Sequence, residues 1–141
     1  MCEATTGTKH LDEVGIGRTV SLPFDVALQR IEQALQKEGF GVLTRIDVKE
    51  TLKKKLGVDQ APFVILGACN PQLAHRALRI EPAIGLLLPC NVVVRADDSG
   101  TLVQALDPKV MVTVPGRAEL EPIAEEAGRR IWAALDILQG R

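Results

Sequence analysis

The chain has 141 residues, 46% hydrophobic and 25% charged, the composition of one globular domain. With 17 basic against 18 acidic side chains the formal net charge is −1, and 3% aromatic content supplies no stacking platform, so nucleic acid is not an expected partner. Three cysteines without paired spacing do not form a disulfide framework, and the longest apolar run, 83–94, falls short of the roughly 20 residues of a membrane span. The expected setting is therefore the cytoplasm, away from the membrane.

Residues 1–12 are polar and aperiodic and read as a loose arm, with a single α+β domain expected over 13–141. Val14, Ile16, Val20 and Leu22 alternate, marking a strand over 14–22. Pro23 then opens a helix over 24–38, in which Phe24, Ala27, Leu28, Ile31, Ala34 and Leu35 recur at helical spacing and Gly39 follows the end. Phe40, Val42, Thr44 and Ile46 restart the alternation. Asp47, with Glu50 three residues on, caps a short helix over 48–56 that Gly57 closes. Residues 62–68 are apolar on both faces, as a central strand is. Asn70-Pro71 then begins a helix to about Ile80, with Leu73, Ala74, Ala77 and Leu78 inward.

Strands over 86–96 and 101–106 flank the turn Asp97-Asp98-Ser99-Gly100. Residues 110–114 are ambiguous, because they alternate like a strand yet follow Asp107-Pro108, a helix-start pair. The last element is a long helix beginning within 118–121. Its stripe is Leu120, Ile123, Ala124, Ala127, Ile131, Ala134, Leu135 and Leu138, and Pro122 falls in its first turn. The order β-α-β-α-β-α-β-β-α predicts a mostly antiparallel sheet with helices on one main face. A doubly wound sheet is the alternative, but the phosphate-binding turn of its nucleotide-binding versions is missing.

Candidate chemistry is confined to two segments, Gly67-Ala68-Cys69-Asn70-Pro71 and Leu88-Pro89-Cys90-Asn91, each setting a Cys-Asn pair at the edge of an apolar run. Cys69 precedes a helix N-cap, where unpaired N–H groups and the helix dipole favour a thiolate; its alternative role is a small core side chain. Cys90 shares the apolar face of its strand with Leu86, Leu88, Val92 and Val94 and is expected to be buried unless Pro89 introduces a bulge. If their strands are neighbours, Cys69 and Cys90 together suit a thiophilic metal or a transient disulfide. A closed zinc site needs four ligands, and His10 and His75 are not spaced to complete one. Asn70 and Asn91 read as backbone partners or as amides that orient a small polar ligand, and Asp47 as a helix cap or a further ligand contact. Lys49, Lys53, Lys54 and Lys55 form a basic run that reads as a solvated face or, second, an anion-binding one, and Trp132, off the main stripe, marks an interface or the rim of the core. No P-loop, HExxH, GxGxxG or supported Ser-His-Asp arrangement occurs, so the balance is against an enzyme.

Gly39-Phe40, Ile46-Asp47, Leu66-Gly67-Ala68-Cys69-Asn70-Pro71 with Ala74, and Leu87-Leu88-Pro89-Cys90-Asn91-Val92 together resemble a small bacterial and archaeal family, the domain of unknown function 302. The resemblance spans about residues 14–108. It implies a TATA-box-binding-protein-like β-α-β4-α sandwich and a homodimer, and brings no established activity or cofactor. Three functions are left open: a non-enzymatic dimeric module binding a small ligand near the two Cys-Asn segments, a thiol-based carrier or redox protein in sulfur or soft-metal handling through Cys69, and a structural or interaction domain.

Overall fold

The structure, a computed structural model, describes residues 14–139. The arm expected over 1–12, with Cys2 and His10, lies outside the described residues. Strands β1 (Gly15–Val20), β2 (Gly41–Asp47), β3 (Phe63–Cys69), β4 (Cys90–Asp97) and β5 (Gly100–Leu106) form one sheet in the order β1-β5-β4-β3-β2. Every ladder is antiparallel, which excludes the doubly wound alternative. Helices α1 (Phe24–Lys37), α2 (Val48–Leu56), α3 (Pro71–Ile80), α4 (Val110–Thr113) and α5 (Glu121–Gln139) connect or follow the strands, with 3-10 turns at Pro82–Leu87 and Ala118–Leu120.

Local chemistry explains most of the boundaries. Helix α1 ends in a Schellman motif: Phe40 N donates to Leu35 O at 2.8 Å and Gly39 N to Gln36 O at 3.0 Å. Gly39 takes φ +87°, where a side chain would be strained, and the flanking Leu35 and Phe40 are both buried. Glu50 N donates to Asp47 Oδ1 at 2.9 Å, and Leu73 N donates to Asn70 Oδ1 at 3.1 Å, so each of these side chains satisfies an otherwise unpaired N–H at the start of a helix.

All eight stripe residues of the final helix region, Leu120 to Leu138, are buried. They pack with α1 against one face of the sheet, where Leu66, Val92, Val94 and Val103 are fully enclosed. Each such side chain contributes about 1.5–3 kcal/mol through burial, which far exceeds what helix propensity could add.

Two expectations are corrected and one ambiguity is resolved. The strand expected over 86–96 begins at Cys90 and has no bulge at Pro89. The preceding residues form a 3-10 turn, because Glu81 accepts from Ala83 N at 3.1 Å and Pro82 fits the first helical position; Leu86 is 89% exposed. Apolar character alone does not separate strand from turn. The sheet irregularity lies instead in β2, between Val42 and Thr44, beside the exposed Leu43. Leu78 faces solvent, since α3 buries only the narrow stripe of Leu73 and Ala77. Residues 110–114 resolve as the one-turn helix α4, started by Asp107, whose carboxylate accepts from Lys109 N at 3.0 Å.

Candidate functional site

The sheet register decides which motif residues meet. Across β3–β4, Val64 faces Val94, Leu66 faces Val92 and Ala68 faces Cys90, all on the side covered by helices. Cys69 is the last residue of β3, one position beyond the Ala68–Cys90 pair, and is half-buried. The next residue, Asn70, is buried and starts α3. Gly67 must be glycine here, because a Cβ would run into the Thr44 side chain and Pro89. The close approach of these neighbours holds the end of β3 against β2 and the start of β4.

Cys69, Asn70 and Cys90 border one cleft, completed by Phe40, Leu73, Leu88, Met111 and Ile123. The cleft spans about 330 Å³ including its open side, but the free space inside is narrow, about 30 Å³. Its walls are almost wholly apolar. Burial pushes the Cys90 thiol up to about 11, and the neighbouring Cys69 acts in the same direction.

Beside Gly39, Arg130 of α5 donates through Nη1 to Glu38 O at 3.1 Å and reaches Glu126 at 3.0 Å. The Arg130 hydrogen bond holds the Glu126 carboxyl below its usual range, with Arg76 helping. A Cβ at Gly39 would lie 2.9 Å from Asn70 Nδ2 and 3.5 Å from Arg130 Nη1, so the end of α1, the start of α3 and the middle of α5 converge at this point.

Two candidates do not join the cleft. Asn91 pairs with Gly67 on the opposite face of the sheet and is exposed. Asp47 caps α2 at the far end of β2, six residues or about 20 Å along the strand from the position paired with Cys69. His75 lies on the exposed side of α3, and Trp132 is 38% exposed. Among the basic residues of α2, Lys53 pairs with Asp59 at 3.0 Å and Lys49 donates to Gln60 O at 2.8 Å. Sequence reasoning missed Met111, which lay in the one segment of undecided structure, and Arg130, whose role appears only once α1 and α5 are packed together.

Residues 16–138 match the family described as Domain of unknown function DUF302. The chain belongs to this family. A DUF302 protein from Bacillus stearothermophilus, described as uncharacterized and conserved, has a crystal structure that aligns with a TM-score of 0.83 at 35% identity, covering 89% of this chain and 98% of that one. No curated protein matches. The family suggested by the Cys-Asn segments is thus the right one, and the DUF302 fold in this chain is an α+β arrangement with a five-stranded antiparallel sheet and a long C-terminal helix. Among the described residues no helix is long and apolar enough to cross a membrane.

Proposed function

We propose that this DUF302 chain is a non-enzymatic binding module whose small ligand enters the cleft bordered by Cys69, Asn70 and Cys90. The observation that carries the reading is convergence: residues from two motifs about 20 positions apart in sequence border the same apolar cleft. The ligand is small, because the free space accommodates only a few heavy atoms without movement of the walls. Cys69, half-buried at the strand end, is the side chain that meets it first.

The same reading places the module in the cytoplasm, where the free thiols of Cys69 and Cys90 stay reduced, and assigns its sheet to the TATA-box-binding-protein-like class. It is a homodimer. Support comes from the sheet face opposite α1 and α5, where Phe63, Ile65, Val93, Leu102 and Leu106 are half-buried and Ile46 is 48% exposed. Sedimentation that stays monomeric at high micromolar concentration would remove the dimer from this proposal.

The cleft is tested by alkylation of Cys69 in a Cys2→Ser background, in the presence of a panel of small apolar and thiol compounds. Ligands of the cleft slow the reaction and shift the Leu73 and Ile123 methyl resonances. If neither these compounds nor a thiophilic metal ion does either, the domain is a structural one and its cysteines are core.

A further inference from the structure

We propose that Cys69, Cys90 and Met111 form a binding site for one soft monovalent metal ion, of the Cu(I) or Ag(I) class. The proposal rests on the cleft reading above and names the ligand of that cleft. Its basis is a concentration of sulfur: the chain has three cysteines and two methionines, and two of the former and one of the latter border the same narrow space. They come from the end of β3, the start of β4 and α4, so no local sequence pattern groups them.

Chemistry and size agree. Thiolate and thioether sulfur select Cu(I) over harder ions, and among the described residues no Asp, Glu or His borders the cleft to favour a hard cation. Among the described residues no group of three or more His, Cys, Asp or Glu could hold a metal, so the borderline and hard divalent ions have no comparable set. A free space of about 30 Å³ suits a single ion better than an organic molecule. Met111 is buried and unbranched, and its thioether can adjust to the ion.

The charges also balance. On binding, the thiols of Cys69 and Cys90 each release one proton to solvent and form one metal–sulfur bond, while Met111 donates a lone pair and loses nothing. The result carries one net negative charge, beside the N-terminus of the ten-residue helix α3, whose dipole favours it.

The test uses the full chain carrying Cys2→Ser, to remove the third thiol. Cu(I) is titrated anaerobically against a chelator such as bicinchoninate, and Ag(I) is added to protein with 13C-labelled methionine methyl groups. One equivalent of Cu(I) should resist the chelator. Cys69→Ser and Cys90→Ala should each weaken binding by on the order of a hundredfold or more, and Met111→Leu by on the order of tenfold. With only Met1 and Met111 present, the Met111 methyl signal alone should move on adding Ag(I). That readout needs no substitution at the site and does not depend on Cys90→Ala folding. An unmoved Met111 signal, or Zn(II) held as tightly as Cu(I), overturns the site. If the metal fails while small compounds still protect Cys69, the cleft remains a ligand site and the metal assignment falls. If both fail, both readings fall.

Discussion

Cys90 stands directly opposite Ala68 in the β3–β4 ladder, which sets its thiol on the helix-covered face of the sheet, one position from facing Cys69. Burial and the neighbouring Cys69 push its pKa up to about 11, so at pH 8 roughly one Cys90 in a thousand is ionised. In the Cys2→Ser protein, maleimide at pH 8 should therefore label half-buried Cys69 and leave Cys90 untouched until the fold is opened by urea. Peptide mass spectrometry over the time course distinguishes the two sites. Equal labelling rates in the native state would contradict the geometry.

The same thiol makes stability depend on pH. In the unfolded chain Cys90 loses its proton near 9, whereas in the fold it keeps it to about 11. Between these values the unfolded state binds fewer protons, so stability falls as pH rises, by roughly 2–3 kcal/mol across the window. Below pH 9 the contribution is constant. Urea unfolding at pH 8, 9.5 and 11 should show this loss, and Cys90→Ala should flatten the part of the slope that Cys90 causes. A variant with the same slope as the parent would assign the alkaline loss to other groups.

The sequence made legible what is decided by neighbours along the chain. Asn70, Asp47, Gly39 and Gly57 each act through a backbone bond or dihedral within a few residues, and all four lie where their cap chemistry puts them. The apolar stripe, seven of whose eight residues lie in α5, was equally clear, because 19 residues supply enough turns for the period to stand out. The site was only half visible. Strand pairing is set by contacts far apart in sequence, and a single position in register moves a side chain to the other face. That is why Cys90 and Asn91, adjacent in the motif, part company, one into the cleft and one to the opposite face. Met111 was hidden for a related reason: a four-residue helix carries no readable period, and its burial depends on where α5 and β4 leave space.

Arg18 is held by partners that no local pattern reveals. Its guanidinium lies 5.0 Å from the Trp132 ring centroid, and Nη2 donates to Asp136 at 2.6 Å, while Nε is buried without a partner among the described residues. The cation–π contact contributes about 0.5–1 kcal/mol and the exposed ion pair less than about 1, whereas an unpaired buried donor costs about 1–3. These terms nearly cancel. Arg18→Met, which keeps the buried stem, should therefore change urea stability by less than about 1 kcal/mol. The emission of Trp132, the chain's single tryptophan, should nevertheless shift. A loss of more than about 2 kcal/mol would mean that the charge, not the stem, holds β1 to α5.

Gly39 and Gly57 offer a matched pair that separates backbone strain from the integrity of the cleft. Both adopt positive φ just past a helix end, +87° and +69°. A Cβ at Gly57 meets none of the described residues within 4 Å, so Gly57→Ala should cost only the left-handed strain, about 1–2 kcal/mol. At Gly39 the new methyl would sit 2.9 Å from Asn70 Nδ2 and press on the side chain that caps α3. Losing that cap adds about 1 kcal/mol, so Gly39→Ala should be the more destabilising by roughly that amount. Asn70→Ala should then cost less in the Gly39→Ala background than in the parent, because the cap has already been displaced. The Cys69 alkylation rate should change with Gly39→Ala and not with Gly57→Ala, since only the former disturbs the residue next to that thiol. Equal costs for the two glycines, with additive effects at Asn70, would show that Gly39 acts through its own backbone alone and has no bearing on the cleft.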